Sequence, residues 1–246
     1  MSHVAIFITD YAEPYIEKFG SFYDQSRAVL HSAGFEDDIK GYDIIKSQFP
    51  TDEEFQNIKA IWITGSRSDA FANDEWILKL RDYLQNVVLP SSVPVIGICF
   101  GHQIIGRALG AEVGRNEKGW ELGVTNISIN QDPEVQELFG DVRSKDFEIL
   151  ELHQDIVKNV PEGYKNIGSS KDTETQGLYK KGKVLSFQGH PEFIQDCAAD
   201  TLDKIHNRGQ VSDEYYENAK KRLEEVRHDG VDLTKVIIKF INESST

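Results

Sequence analysis

Cysteine is scarce in this 246-residue chain, which has two, Cys99 and Cys197. Two cannot form the disulfide framework of a secreted scaffold, so each is read as a thiol in a reducing compartment. Basic residues are also short: 27 lysines and arginines face 41 aspartates and glutamates, a formal charge of -14. Such a surface repels nucleic acid and anionic membranes, and neither is expected as a partner. No apolar run is long enough to span a bilayer, and Met1 to Asp10 lacks the basic and apolar regions of a secretion signal, so a cytoplasmic protein is expected. No stretch biased in Gly, Pro or Ser divides the chain, and 39% hydrophobic with 28% charged residues fits one ordinary globular core. No Cys/His cluster has zinc-ligand spacing and no Walker-type or dinucleotide fingerprint occurs, so no metal or nucleotide cofactor is expected.

What is present is an alternation of buried strands and amphipathic helices. Val4 to Thr9 is a short apolar, β-branched run, and Tyr15 to Ala33 follows with helical spacing. Tyr42 to Ile45 and Ala60 to Thr64 are further strands, the latter ending at Gly65 and Ser66 before a helix over Glu75 to Val87. Val93 to Ile98 is another buried strand, followed by Cys99 and a helix from Gly101 to Leu109 that stops at Gly110. Shorter strands are expected at Thr125 to Ile129, Phe147 to Leu152, Asn166 to Ser169, Gln176 to Tyr179 and Val184 to Gln188. Three helices close the chain, over Gln195 to Asn207, Asp213 to Arg227 and Leu233 to Asn242, with Gly230 as the stop of the second. The pattern predicts an α/β fold with a doubly wound, mainly parallel sheet, helices on both faces, and a C-terminal helical extension packed on it.

Two segments carry chemistry. In Gly97-Ile98-Cys99-Phe100-Gly101 a nucleophile on a sharp strand-to-helix turn has the small neighbours that such a turn requires. The turn would set the sulfur at the first turn of a helix, where the dipole favours a thiolate, and leave the Phe100 N–H free for an oxyanion. The same five residues also fit a buried cysteine that ends a core strand. In Gly189-His190-Pro191-Glu192 an imidazole is followed by an acid that can turn back to hold its second nitrogen, although alone this also fits a solvated loop. Cys197 lies on a tail helix with no histidine to activate it, His102 is expected to pack or cap, and for His153 a pocket wall is the alternative to a structural role.

Together, Gly-Ile-Cys-Phe-Gly-His-Gln and Gln-Gly-His-Pro-Glu-Phe resemble the signatures of class I glutamine amidotransferase domains. The resemblance covers about residues 4 to 195, so 1–195 is expected to be the amidotransferase-like domain and 196–246 the helical extension. It implies a γ-glutamyl thioester on Cys99, with His190 as base and Glu192 as its orienter. It further implies an oxyanion hole from the Gly65 and Phe100 N–H groups, and a grip on the glutamyl moiety by Gln103 and the backbone near Gln154 and Asp155. The family's usual Gly-Gly-Pro run is altered here to Gly65-Ser66-Arg67, with only the first glycine kept. This loop, the segment Lys118 to Gly123 and the helical tail are similar to a standalone branch that includes γ-glutamyl peptidases acting on glutathione-like compounds.

The expectation is therefore a cysteine hydrolase that cleaves the γ-glutamyl amide of glutamine or of γ-glutamyl peptides, a small-molecule substrate. The leaving group would lie near Arg67, Phe71 and Trp120. Two alternatives stand beside it: a glutaminase subunit that passes ammonia to a separate synthetase subunit, and a catalytically silent module that binds a γ-glutamyl metabolite.

Overall fold

The computed structural model describes residues 2–11, 13, 16–140, 142 and 145–244. Strand β1 (His3–Ile8) is buried on both faces, Val4 and Ile6 on one side and Ala5 and Phe7 on the other, as a strand with helices above and below must be. Helices α1 (Ile16–Phe19) and α2 (Phe22–Ser32) follow. The sequence predicts one helix from Tyr15 to Ala33. Tyr15 lies outside the described residues, and the rest is divided because Gly20 takes φ 80° and Ser21 begins a new helix. The Ser21 hydroxyl accepts from the Asp24 N–H, and the Asp24 carboxylate accepts from the Ser21 N–H.

Strand β2 (Asp38–Asp43) begins four residues before the predicted Tyr42–Ile45 segment and shares Tyr42 and Asp43 with it. It pairs with β1 at the sheet edge, where Asp38, Lys40 and Gly41 face solvent and no apolar pattern is needed. Helix α3 (Asp52–Phe55) leads into β3 (Ile58–Ile63); α4 (Glu75–Tyr83) continues as a π-helical turn to Val88. Strand β4 (Val95–Ile98) and α5 (Phe100–Ala108) flank Cys99. Then come β5 (Val113–Arg115), β6 (Glu121–Ile129), α6 (Pro133–Phe139), β7 (Asp146–His153) and β8 (Asp155–Val157). The predicted strand Asn166–Ser169 is two pieces, β9 (Lys165–Asn166) and β10 (Gly168–Ser169), in different sheets, because the Ile167 N–H between them donates to the Gly177 carbonyl. Strands β11 (Leu178–Lys180) and β12 (Val184–Phe187) follow, and α7 (Gln195–Asn207), α8 (Asp213–Glu225) and α9 (Gly230–Ser244) end the chain.

The large sheet runs β2-β1-β3-β4-β12-β11-β9, parallel from β2 to β12 and antiparallel beyond. Ile77 and Leu80 of α4 and Ile104 and Ile105 of α5 cover one face; Val29 and Leu30 of α2 and Val236 and Ile237 of α9 cover the other. This is the doubly wound α/β fold. The antiparallel pair β6–β7 is buried along one face and, on the other, at the end that holds Leu122, Val124 and Leu150. Ile127, Ile129, Phe147 and Ile149 point to the main core, while Leu122, Val124, Leu150 and Leu152 point to α7 and α8.

Gly230 is predicted to stop the second tail helix, yet it is the first residue of α9. A Cβ there would collide with the Pro191 carbonyl, so glycine lets α9 begin against the His190–Glu192 segment. Among the described residues, no helix is long and apolar enough to cross a membrane. From β1 the chain moves outward to β2, then returns to β3 on the other side of β1, so the loops after β1 and β3 diverge. In open α/β sheets the ligand crevice lies at such a switch, outside the carboxyl ends of the strands.

Candidate active site

Gly65, Cys99 and His190 follow β3, β4 and β12, three neighbouring strands whose carboxyl ends point the same way. Cys99 takes φ 51° and ψ -103° between β4 and α5, and its N–H donates to the Phe187 carbonyl at 2.8 Å. Few residues with a Cβ take such a backbone, and it persists only when the surroundings enforce it. Here the enforcement is close packing: a Cβ on Gly97 would lie 2.5 Å from the Gly101 carbonyl oxygen, and one on Gly101 would strike the Ile63 carbonyl. Phe100 opens α5, so its N–H belongs to the first turn, where no helical acceptor exists. Its ring is buried and stacks on Trp76 at 5.4 Å.

His190 Nδ1 lies 2.9 Å from Glu192 Oε1, and the imidazole and Cys99 share the lining of one cavity. The ring stacks on Phe193 with centroids 4.0 Å apart, and the His190 N–H donates to the Leu150 carbonyl at 2.8 Å. Burial disfavours a charged imidazole, but the negative charges of Glu192 and Cys99 outweigh it and push the His190 pKa up to about 10. A Cβ on Gly65 would lie 2.8 Å from His190 Cε1, so glycine is what leaves the imidazole its place.

The altered loop after Gly65 is fastened to the end of β1. The Thr9 hydroxyl donates to the Gly65 carbonyl at 2.9 Å. Arg67 donates its backbone N–H and Nε to Asp10 Oδ2 at 2.8 and 2.9 Å, and NH2 to Asp10 Oδ1 at 2.7 Å.

Two cavities meet at Cys99. The larger, about 390 Å³, includes Gln103, Arg115, Trp120, His153, Gln154 and Asp155, with Thr201, Lys204 and Arg208 contributed by α7 and the turn after it. Gln103 Nε2 donates to the Asp155 carbonyl at 2.8 Å and to Gln188 Oε1 at 3.1 Å, and the Asn116 N–H takes the Gln154 carbonyl at 2.8 Å. Arg115 pairs with the Asp155 carboxylate and with Asp69 at 3.0 Å. Burial raises the Asp155 pKa against the opposing charge of Arg115. The smaller cavity, about 110 Å³, is on the His190 side. Arg67 and Trp120 line the larger cavity, whereas Phe71 lies under the Arg115 guanidinium, 5.7 Å from ring to cation.

His102 is fully buried, its Nδ1 2.8 Å from Ser186 Oγ, and burial pushes its pKa down to about 3. His153 does line the cleft, and it also lies between two acids: its Nε2 is 3.0 Å from Glu121 Oε2 and 3.2 Å from Glu151 Oε2. Nδ1 faces the Asp155 carbonyl at 3.1 Å. With acceptors at both nitrogens the ring carries two protons, and its pKa rises well above the ordinary histidine value, the acids overcoming burial. Glu151 is pushed up to about 7, chiefly by burial. These three place donor atoms within 4.8 Å of one another, as a cation site would, but an imidazolium already joins the two carboxylates.

Gln188 stands in the second motif with no role assigned to it, and its amide donates to Cys99 Sγ at 3.5 Å. The signal was available, since two residues along an extended segment place Gln188 on the same side as His190. Arg115, Leu152 and Thr201 sit in no motif, and only folding brings them to Cys99.

A family model described as glutamine amidotransferase class-I matches residues 21–202. A Saccharomyces cerevisiae protein provisionally named a glutamine amidotransferase is 36% identical over 246 residues, with 95% of each chain covered. Gamma-glutamyl peptidase 2 of Arabidopsis thaliana is 30% identical over 231 residues, 94% of this chain and 91% of its own length. The crystal structure of a glutamine amidotransferase from Thermotoga maritima matches at a TM-score of 0.69 over 98% of both chains; at 19% identity this likeness is one of fold. By its fold and by the match over most of its length, this chain belongs to the class I glutamine amidotransferase family.

Proposed function

We propose that the protein is a free-standing cysteine hydrolase of γ-glutamyl amides that takes γ-glutamyl peptides as substrates. The observation that carries this reading is the 2.9 Å contact of His190 Nδ1 with Glu192 Oε1, with the imidazole beside Cys99 on the wall of one cavity. The cleft beside Gln103 is lined by the Arg115–Asp155 ion pair, whose charges the α-carboxylate and α-ammonium of a glutamyl moiety can share. Similarity to a named γ-glutamyl peptidase along nearly the whole chain supports the choice of peptide over ammonia transfer.

In the proposed reaction the Cys99 thiolate attacks the δ-carbonyl and forms a C–S bond. The oxyanion is held by the Phe100 and Gly65 N–H groups. The His190 imidazolium gives its proton to the departing nitrogen as the C–N bond breaks. Water, deprotonated by His190, then breaks the C–S bond and releases glutamate. Glu192 fixes the ring and stabilises its charge throughout.

The test compares release from a γ-glutamyl dipeptide and from glutamine by purified protein alone, with Cys99→Ala as control. Faster turnover of the dipeptide, abolished in the variant, is expected. A glutaminase that turns over only when a partner is added, or unchanged turnover by Cys99→Ala, overturns the proposal.

A further inference from the structure

The cavity of about 110 Å³ on the His190 side of Cys99 differs in character from the larger cleft. Its apolar walls are Phe22 from α2, Leu152 from β7, Phe193 just before α7 and Cys197 within it, with Thr201 one turn further on, and Ser66 and Arg67 of the loop after β3 form its rim. Phe22 and Phe193 pack at 5.5 Å between ring centroids, and Phe22, Phe193 and Cys197 are almost wholly removed from solvent. Burial pushes the Cys197 thiol up to about 12, so it stays neutral and acts as apolar wall.

The chemistry decides which half of a substrate faces which cavity. The departing nitrogen must lie next to the proton donor, and His190 borders the small cavity. The glutamyl half carries two charges, and the larger cleft holds Arg115 and Asp155. Building on the proposed hydrolysis, we infer that the small cavity is the binding subsite for the side chain of the departing amino acid, and that it takes an unbranched or branched aliphatic side chain of valine to leucine size. A cavity of roughly 150 Å³ accepts a benzene-sized group, so 110 Å³ suits a somewhat smaller one. An acidic side chain there would lose its hydration, and the Arg67 guanidinium on the rim is already paired with Asp10. Glutamine leaves as ammonia and does not use the subsite.

The step itself balances as for any γ-glutamyl amide: the C–N bond breaks, C–S forms, and His190 supplies the proton to the amine. Water then breaks C–S, giving glutamate and the free amino acid.

The experiment measures kcat/KM of the full chain for γ-glutamyl-leucine, γ-glutamyl-valine, γ-glutamyl-aspartate and glutamine. Leucine and valine dipeptides are expected to exceed both others by about tenfold or more, the usual discrimination of a fitted apolar pocket. Cys197→Met fills the cavity from a wall residue that does not border the larger cleft. It should lower kcat/KM for γ-glutamyl-leucine at least tenfold relative to glutamine, and Leu152→Ala, a second variant, should move the preference toward larger side chains. Equal rates on the leucine and aspartate dipeptides overturn the subsite while leaving the hydrolase reading intact. Failure to cleave any of the four overturns both.

Discussion

Cys99, His190 and Glu192 are each held by a neighbour that has little freedom to change. The imidazole depends on Glu192 for its proton, since burial alone would drive the proton off. A charged His190 stabilises the fold fully below its ordinary value near 6.5, and this contribution fades as pH rises through about 10. The rate should follow the same limb, because the acylation step needs the imidazolium. Glu192→Gln is expected to lower kcat by roughly 10²- to 10⁴-fold and to shift the alkaline limb toward neutrality, read from a pH–rate profile. An unshifted limb would separate Glu192 from His190. Gly65→Ala puts a methyl group against the imidazole and should cost at least about tenfold in kcat, with a small change in Tm. His102 behaves in the opposite sense. Its folded pKa is about 3, so its neutral form favours the fold above pH 6.5, and that support is lost as pH falls from 6.5 through about 3. Thermal melts toward low pH should show less acid sensitivity in a folded His102→Asn variant than in the parent.

At the scale of elements, the loop from His190 to Phe193 is the joint on which the site depends. The bond from the His190 N–H to the Leu150 carbonyl ties it to β7, and Phe193, on which the imidazole stacks, packs with Cys197 and Leu202 of α7. Gly230 brings the start of α9 against Pro191. Gly230→Ala should destabilise by about 1–3 kcal/mol, the usual cost of overpacking, and should lower kcat more than a surface change of equal stability cost; urea unfolding and kinetics together check this. The elbow was legible because its chemistry is local: Gly97 and Gly101 are needed by neighbours within the same turn and the adjoining strand. Strand β2 was misplaced because an edge strand held by backbone bonds needs no apolar pattern. The Glu121–His153–Glu151 cluster was invisible for a different reason. It exists because the hairpin register sets Glu121 opposite His153, and register is not written in either segment alone.

At the scale of the whole molecule, the sheet provides a rigid floor and the later elements provide the walls. The family signatures all lie at the ends of β4 and β12, so the reaction class could be read from the chain. The walls of the small cavity come from α2, β7 and α7, far apart in sequence, and side-chain preference could not be read there. The central claim is that Cys99 carries a γ-glutamyl group in turn with its release. The most direct measurement is mass spectrometry of protein quenched in acid during turnover of a γ-glutamyl dipeptide, followed by peptide mapping. The expected result is a γ-glutamyl adduct on the peptide containing Cys99, formed and lost at rates that match turnover and absent in Cys99→Ala. Turnover that persists undiminished in Cys99→Ala, with no adduct at Cys99 in the parent, would contradict it.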